Sequence, residues 1–359
     1  MTGAVFRAGA AGPGGAGVSA GASARSGDAG VTSDLALGVD VGGTKIAVGL
    51  VERASGALLA ERRAATPAAE GGEAVLRRCL ELADELLADP LARTARASLA
   101  AAGGSGLPIG IALCELVDRD GRAASADTVD WRALDPGAAF AAIGPVVLES
   151  DVRAAALAEA RIGAARGTSS AVVVVIGTGV ASCLVLDGVP YRGAHGAAIV
   201  LGSRPLASGV PALESVASGA AIARLAGTAD ARAAFAAAET RDDRAREVVG
   251  EAIATLGGAV ATLVNLLDPE LIALTGGIGS VPAIATRIAA AARPLIYAPA
   301  ARSVSIVASV LGDRAGLIGA AFCAPDAPGA PGGPGPSGTP GTPGAPVSRP
   351  EPSLSSPPA

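Results

Sequence analysis

Residues 35–51 read LALGVDVGGTKIAVGLV, which is an apolar run, a Gly-Gly turn and a second apolar run. Two apolar runs joined by a short glycine turn are typical of a β-hairpin. Residues 171–188, AVVVVIGTGVASCLVLDG, repeat this plan around the turn Gly177-Thr178-Gly179. Because such a hairpin opens each half of the chain, we predict a duplicated domain that holds a ligand between the two turns.

Strand-like and helix-like segments alternate along the chain, and this alternation predicts an α/β fold. Helices are expected over residues 73–88 (ended by Pro90), 151–165, 244–267 and 314–322, and strands over 108–117, 145–148, 271–274 and 304–307. The strand at 145–148 runs into Glu149-Ser150-Asp151 and the next helix, so Asp151 is expected at the carboxyl end of a strand. Open α/β sheets bind ligands at that edge.

The two ends of the chain differ in composition from the segment between them. Residues 1–33 are mostly Gly, Ala and Ser, and 12 of the 25 prolines fall in residues 325–359. We expect both ends to be disordered tails, because such segments bury little apolar surface. The remainder is predicted to form an N-terminal domain at 34–150 and a C-terminal domain at 151–324, whose last helix packs back on the first domain.

Composition excludes several classes of protein. The chain has 28 Lys plus Arg against 33 Asp plus Glu, a net charge of -5, so no nucleic-acid partner is expected. The four cysteines form no C-x-x-C pair, which argues against a disulfide framework and favours a reducing, cytoplasmic setting. The most membrane-like stretch, residues 171–186, is interrupted by glycines and shorter than the ~20 residues of a spanning helix, so no membrane association is expected.

The hexapeptide Asp40-Val41-Gly42-Gly43-Thr44-Lys45 is the most informative motif for function. Its glycines let the backbone approach a polyphosphate and point N–H groups at it, and Thr44 adds a hydroxyl. Asp40 can hold Mg²⁺ through water. Lys45 is the single lysine of the chain. A tight hairpin with a solvated lysine is the alternative, and nucleotide binding is the interpretation that we favour.

With this motif the chain resembles the ROK family of sugar kinases and related repressors, within the actin-like ATPase superfamily, over nearly all of residues 34–324. The further carriers of the resemblance are Glu149-Ser150-Asp151 with residues 154–160, Gly177-Thr178-Gly179, residues 184–188 with 191–194, Leu213-Glu214 with 217–219, residues 265–270 with Gly276-Gly277, and residues 311–313 with 315–320. The resemblance implies an α/β fold with two actin-like (ribonuclease H-like) domains flanking an ATP cleft.

The resemblance also implies roles for individual residues. The residues assigned to ATP and Mg²⁺ are Asp40, Gly42, Gly43, Thr44, Lys45, Gly177, Thr178 and Gly179, with Gly276 and Gly277 against the adenosine. Asp151 would be the general base that takes the proton of the sugar hydroxyl attacking the γ-phosphate. An Asp before a helix is often only an N-cap, and the family context favours catalysis. Glu214, Asp127 and Ser150 stand where the family contacts the sugar.

The departures from the family pattern fall mostly on the sugar side. The family usually has Gly-Glu-Ile-Gly-His where residues 199–203 are Ile-Val-Leu-Gly-Ser, so Val200 replaces a sugar-binding carboxylate and Ser203 a zinc-binding histidine. Residues 206–212 (LASGVPA) replace the family's zinc-binding cysteines, and we predict no zinc and no protein-bound metal there. Weak or absent activity on glucose is expected, with an unacetylated amino sugar offering its cation to Glu115 or Asp127 as a candidate acceptor.

The preferred interpretation is a cytoplasmic, MgATP-dependent sugar kinase with a glucokinase-like reaction and an open choice of sugar. The alternative is a catalytically silent nucleotide or sugar sensor, or an interaction protein, because carboxylate and amide contacts of hexose recognition are missing. A DNA-binding repressor is not expected, since residues 1–33 are too short and Gly-rich for a winged helix-turn-helix domain. His195, the sole histidine, is expected to have a polar loop role. Family analogy suggests a homodimer.

Overall fold

The computed structural model describes residues 34–101, 106–205, 208–240 and 242–326, apart from the side chains of residues 98–100. The predicted tails lie outside the described residues, except for Pro325 and Asp326. The strands are β1 Leu35–Val41, β2 Lys45–Glu52, β3 Ala57–Ala65, β4 Ile109–Leu113, β5 Val146–Ser150, β6 Ser170–Ile176, β7 Val180–Leu186, β8 Val189–Pro190, β9 Leu271–Thr275 and β10 Ser305–Ala308.

The α-helices follow the same chain order. They are α1 Gly72–Leu87, α2 Pro90–Ala101, α3 Pro136–Phe140, α4 Asp151–Ile162, α5 Leu213–Ala217, α6 Gly219–Ala226, α7 Ala231–Glu239, α8 Asp243–Leu267, α9 Gly276–Gly279, α10 Pro282–Ala292 and α11 Ala315–Cys323.

The strands form two five-stranded sheets with the same plan. The first sheet has the order β3-β2-β1-β4-β5, and the second has β10-β9-β6-β7-β8. In each, a central hairpin (β1–β2 or β6–β7) is antiparallel, a third strand extends the hairpin antiparallel, and two strands on the other side run parallel. The predicted α/β fold and the two glycine-turn hairpins at equivalent places are confirmed.

Each sheet has its own hydrophobic core on its outer face. Buried side chains of α1, such as Val75 and Leu82, pack with the inward residues of the first sheet. On the second sheet, Val260 of α8 and Ile288 of α10 pack with buried residues such as Leu274. In each mixed sheet the parallel strands end at the same edge, and because helices cover both faces, that edge is left accessible.

Helices α4 and α11 form the layer between the two sheets. Helix α11 lies against β1 and β4 of the first sheet, and α4 lies against β6 and β7 of the second. Glycines make this packing close: a Cβ on Gly110 would stand 1.7 Å from the carbonyl oxygen of Ala320, and one on Gly319 would stand 1.7 Å from that of Ala154. Because α4 and α11 pack this closely, the first residues of the two helices have fixed positions relative to each other.

Several elements differ from the sequence-based predictions. Pro90 does not only end α1; it also begins α2, since a proline is tolerated in the first turn, where its missing N–H has no intrahelical partner. Helix α4 ends at Ile162 and not at residue 165. Strand β3 was missed because its sequence, ALLAERRAA, lies half-exposed at a sheet edge and lacks a clear apolar alternation.

Helix α8 is, by length and apolar composition, a candidate for a membrane span. Half of the residues in its most apolar stretch are buried inside the protein, where Val249, Leu256 and Val260 join the core of the second sheet. A core helix passes the same test of length and composition. The absence of membrane association stays a prediction.

Candidate active site

A cavity of about 790 Å³ lies at the carboxyl ends of β1, β5, β6 and β9, where the two sheets face each other. All the residues assigned from the sequence to nucleotide, sugar or catalysis line it. They are Asp40, Gly42, Gly43, Thr44, Lys45, Asp127, Ser150, Asp151, Gly177, Thr178, Gly179, Glu214, Gly276 and Gly277. His195 is exposed and is not among the lining residues.

The two glycine turns meet across this cavity. The Thr44 and Thr178 hydroxyl oxygens are 2.9 Å apart and share a hydrogen bond. Each turn is closed by a backbone hydrogen bond of 2.9 Å, from Gly42 N–H to the Lys45 carbonyl and from Gly177 N–H to the Gly179 carbonyl. A polyphosphate would therefore have to lie beside this threonine contact or replace it.

The glycines of the second half leave room for a ligand to approach the backbone. A Cβ added at Gly177 or Gly277 would meet no protein atom within 4 Å. Gly276 has a φ of 81°, a left-handed conformation that favours glycine. A Cβ there would also come 2.7 Å from the Ile176 carbonyl oxygen. The local backbone therefore requires glycine at this position, independently of any ligand.

Asp40 projects into the cavity from the end of β1. A Cβ on Gly316 at the start of α11 would come within 2.8 Å of the Asp40 carboxylate, so a glycine is required beside it. Burial raises the pKa of Asp40 to about 6, although Lys45 and Arg63 act in the opposite direction. Because burial disfavours the negative charge of Asp40, a cation beside it would stabilise the ionised carboxylate.

Asp151 is the first residue of α4, directly after β5. Its Oδ1 accepts a hydrogen bond of 2.6 Å from the Val152 N–H. Burial, and then the nearby charge of Asp40, raises the pKa of Asp151 to about 7. The helix N-terminus alone would keep this carboxylate fully ionised at neutral pH, and burial overrides that expectation. A carboxyl that titrates near 7 suits a general base.

A buried ion-pair network fixes the start of α4. Arg153 Nε donates to Glu149 Oε1 at 2.6 Å, and Arg192 Nη2 pairs with Glu149 Oε2. Arg153 also donates to the carbonyls of Val117 and Gly196. These two residues are neighbours, since a Cβ on Gly196 would stand 2.6 Å from the Val117 carbonyl oxygen. Arg153 therefore ties the start of α4, next to Asp151, to both of these adjoining segments. Sequence reasoning gave neither Glu149 nor Arg153 this positioning role.

Lys45 is paired with a carboxylate, although its side chain remains 44 % exposed. Its Nζ lies 2.8 Å from Asp313 Oδ2, and Arg63 Nη1 lies 2.7 Å from the same oxygen. Although burial acts in the opposite direction, hydrogen bonds from Arg63 and Lys45 lower the pKa of Asp313 to about 2. Asp313 belongs to the family motif at residues 311–313, but no role in the site was assigned to it from the sequence. The signal that could have identified it is its position directly after Gly312 and before the last helix.

The end of the cavity where a sugar was expected, lined by Glu115, Ser125 and Asp127, corrects the expectation of a cation-binding Glu115. This side chain is 4 % exposed, and its carboxylate accepts hydrogen bonds from the backbone N–H groups of Asp127, Thr128 and Val129 and from the Ser125 hydroxyl. Glu115 lines the cavity, but its carboxylate is buried and its hydrogen bonds anchor the 125–129 loop. Asp127 remains at the cavity, 3.4 Å from Arg204.

Glu214 also has a structural bond. Its Oε1 accepts a hydrogen bond from the Val180 N–H at 2.7 Å. The carboxylate also packs closely on Gly179, since a Cβ on Gly179 would stand 2.4 Å from Glu214 Oε1. Glu214 therefore supports the second glycine turn as well as facing the cavity.

Ser203 lines the cavity where the family has a zinc-binding histidine. Residues 206 and 207 of the predicted non-binding loop lie outside the described residues, and in the described part of that loop Val210 is half-exposed. Within the described ranges no three His, Cys, Asp or Glu side chains gather in a way that could hold a metal ion. Zinc-free protein stays a prediction, which elemental analysis of the purified chain will test.

Two sheets of identical strand order, with paired glycine turns and a carboxylate between them, define the actin-like ATPase fold of the sugar kinases. Residues 36–327 match the profile of the ROK family, and the chain belongs to this family.

Two relatives illustrate the likeness. The bifunctional enzyme NanE/NanK of Brucella melitensis is 35 % identical over 306 residues, covering 80 % of this chain and 54 % of that enzyme. The chain thus spans about half the length of this relative. The glucokinase of Thermotoga maritima is 29 % identical over 329 residues, covering 79 % and 95 % of the two chains.

Among solved structures, a ROK family glucokinase from Streptomyces griseus in complex with glucose and AMPPNP superposes with a TM-score of 0.69. It is 25 % identical in sequence, and the match covers 81 % of this chain and 99 % of that one.

Proposed function

We propose that the chain is an ATP-dependent sugar kinase that transfers the γ-phosphoryl group to a sugar hydroxyl. The observation that carries the proposal is a single cavity that contains both glycine turns and Asp151. Kinase-named relatives and the AMPPNP complex of the S. griseus glucokinase support ATP as the donor. A cytoplasmic setting, a small sugar as partner and a homodimer belong to the same proposal.

In this proposal the nucleotide occupies the side of the cavity with the glycines. Backbone N–H groups of the two turns, with the Thr44 and Thr178 hydroxyls, are suited to phosphate oxygens. Lys45 would exchange Asp313 for a phosphate. Asp40 fits Mg²⁺, because its buried carboxylate has a raised pKa that a cation would lower. Mg²⁺ is commonly held by one or two carboxylates together with substrate phosphates, whose charge it then neutralises.

Asp151 acts on the acceptor. Its carboxylate takes the proton of the acceptor hydroxyl as that oxygen forms its bond to the γ-phosphorus. The bond between the γ-phosphorus and the bridging oxygen of ADP breaks, and the electron pair of that bond leaves with ADP. The Glu149–Arg153 pair holds the start of α4 in place, which keeps the base at a fixed position in the cavity.

The test is a screen of monosaccharides and amino sugars with MgATP, in which ADP release and phosphorylated acceptor are both measured. We expect at least one sugar to give both products in equal amounts. ADP without phosphorylated sugar would be hydrolysis and would contradict the proposal.

A silent sensor is the second candidate, favoured by the internal hydrogen bonds that occupy Glu115 and Ser125 at the sugar end. Binding of MgATP and of a sugar, with no ADP release from any pair, would establish this candidate and exclude the kinase.

A further inference from the structure

Two cations of the first sheet converge on one carboxylate of the cavity. Lys45 is opposite Ala65 in the β2–β3 ladder, so Arg63, two residues before Ala65, lies on the same face of the sheet as Lys45. Lys45 Nζ and Arg63 Nη1 are 2.8 and 2.7 Å from the same oxygen, Asp313 Oδ2. Lys45 and Asp313 line the cavity, whereas Arg63 is not among the lining residues. Arg63 therefore acts on the site through Asp313.

The backbone that carries Asp313 is fixed. Asp313 follows Gly312, whose carbonyl accepts a hydrogen bond of 3.0 Å from the Thr275 hydroxyl at the end of β9. The Gly312 N–H donates to the Ser309 hydroxyl at 3.3 Å. The Lys45 side chain, in contrast, is a flexible and partly exposed stem. When this ion pair opens, Lys45 moves and Asp313 stays in place.

A phosphate at the first glycine turn competes with Asp313 for Lys45. Lys45 directly follows Thr44 of that turn, and an ammonium group attracts phosphate and carboxylate oxygens alike. Asp313 is ionised at neutral pH, since its pKa is lowered to about 2. A phosphate that takes Lys45 therefore leaves a carboxylate close to its own negative charge, and like charges repel.

Arg63 is placed to offset this repulsion. It keeps its bond to Asp313 Oδ2 when Lys45 leaves, and its Nε pairs with Glu61 on the same strand. Glu61 in turn lies 3.6 Å from Arg314, the residue after Asp313. A guanidinium bound to two carboxylates through different nitrogens has a defined direction, which an ammonium group would not have. Asp313 therefore stays paired after Lys45 has turned to a phosphate.

We propose that Arg63 is a positioning residue for phosphate binding, which holds Asp313 while Lys45 exchanges that carboxylate for a phosphate of the nucleotide. Asp313 is then a competitor of the phosphates, and Arg63 is the counter-ion that weakens this competition. The inference rests on the proposed function for the identity of the ligand, but it concerns nucleotide binding and needs no transfer to a sugar.

The test is a double-mutant cycle on Arg63 and Asp313, in which the Kd of AMPPNP with Mg²⁺ is measured for the whole chain. We expect Arg63→Gln to weaken binding and Asp313→Asn to tighten it, each by roughly two- to fivefold, the range of a partly exposed ion pair. In the Asp313→Asn background, Arg63→Gln should lose most of its effect, because no carboxylate remains for Arg63 to hold. General damage to the site would weaken binding in both single variants.

Two further variants serve as controls. Arg63→Lys keeps the positive charge and should lose less affinity than Arg63→Gln. Arg78→Gln is the matched control and should leave the Kd unchanged. Arg78 is 32 % exposed against 36 % for Arg63, pairs with two carboxylates of α1 and is not among the cavity-lining residues. Melting temperatures of all variants show whether each has folded.

Weaker binding by Asp313→Asn would show that Asp313 orients Lys45 and does not compete with phosphate, and it would overturn the inference. An unchanged or lower Kd in Arg63→Gln, or an effect of Arg63→Gln that persists in full without Asp313, would overturn it as well. With AMPPNP bound by the parent, these outcomes leave the proposed function standing. The expected changes in Kd without ADP release from any sugar would support the inference and remove the kinase, and no AMPPNP binding by the parent would remove both.

Discussion

At the scale of single residues, Asp151 shows how the fold alters a side chain that the sequence only locates. A carboxyl at a helix N-terminus is expected to be ionised at neutral pH. Burial in the cavity and the neighbouring Asp40 instead raise its pKa to about 7. The proton acceptor of the proposed reaction is therefore half-protonated near neutral pH, which has consequences for both stability and rate.

The folded-state pKa of about 7 exceeds the ordinary value of 3.8, so between these pH values the folded chain binds more protons than the unfolded one. The contribution of protonated Asp151 to the free energy of unfolding is complete below about pH 4 and is lost as the pH rises through 7. Relative to the parent, Asp151→Asn should therefore be more stabilising at pH 8 than at pH 5, by about 2.7 kcal/mol for the two pH units between 5 and 7. Denaturant titrations at both pH values measure this.

Asp120→Asn, on an exposed turn, is the control that removes a charge without changing burial. Equal effects of the two variants at both pH values would show that ionisation of Asp151 does not destabilise the folded protein.

The raised pKa of Asp151 also predicts the pH dependence of the rate. Between pH 5 and 8, kcat/KM of the parent should rise about tenfold per pH unit below 7 and level off above it.

At the scale of elements, the sequence predicted what is local and strongly patterned. The apolar hairpins around Gly42-Gly43 and Gly177-Thr178-Gly179 were recognised because a buried strand pair has an unbroken apolar run. Strand β3 and the short helices α5 to α7 were missed, since half-exposed or Ala-rich segments have weak periodicity. The residues assigned to the site all line one cavity, but the bonds that occupy Glu115 and Lys45 depend on loop geometry, which no local pattern contains.

Packing of α11 on α4 gives a prediction at this scale. Gly319→Ala would place a Cβ 1.7 Å from the Ala154 carbonyl oxygen, so the helices must separate, and we expect a loss of about 1–3 kcal/mol or more. Gly250→Ala on the exposed face of α8 meets no atom within 4 Å and should stabilise by about 0.5–1 kcal/mol. Thermal unfolding of both variants provides the measurement; equal shifts would contradict the close helix contact.

At the scale of the whole molecule, the cavity joins the two sheets, so a ligand bound there should stabilise the entire fold. MgATP at 100 times its Kd should add about 2.7 kcal/mol and raise Tm accordingly. Gly177→Val should remove the shift while leaving the unliganded Tm nearly unchanged, because its Cβ meets only open space in the cavity.

Gly250→Val, on an exposed face of α8 and away from the cavity, serves as the control and should retain the MgATP shift. No change in Tm of the parent at millimolar MgATP would refute nucleotide binding. An equal shift in Gly177→Val would show that the second glycine turn does not receive the phosphates.

The most direct test follows label from γ-labelled ATP into the best acceptor of the sugar screen, for the parent and for Asp151→Asn, with MgATP affinity measured on the same samples. If Asp151 takes the acceptor proton, the Asn variant keeps its MgATP affinity and transfers label ~10²-fold or more slowly, the scale of lost general-base catalysis. Transfer by the Asn variant at the parent's rate, or no transfer by the parent to any sugar, would contradict the account.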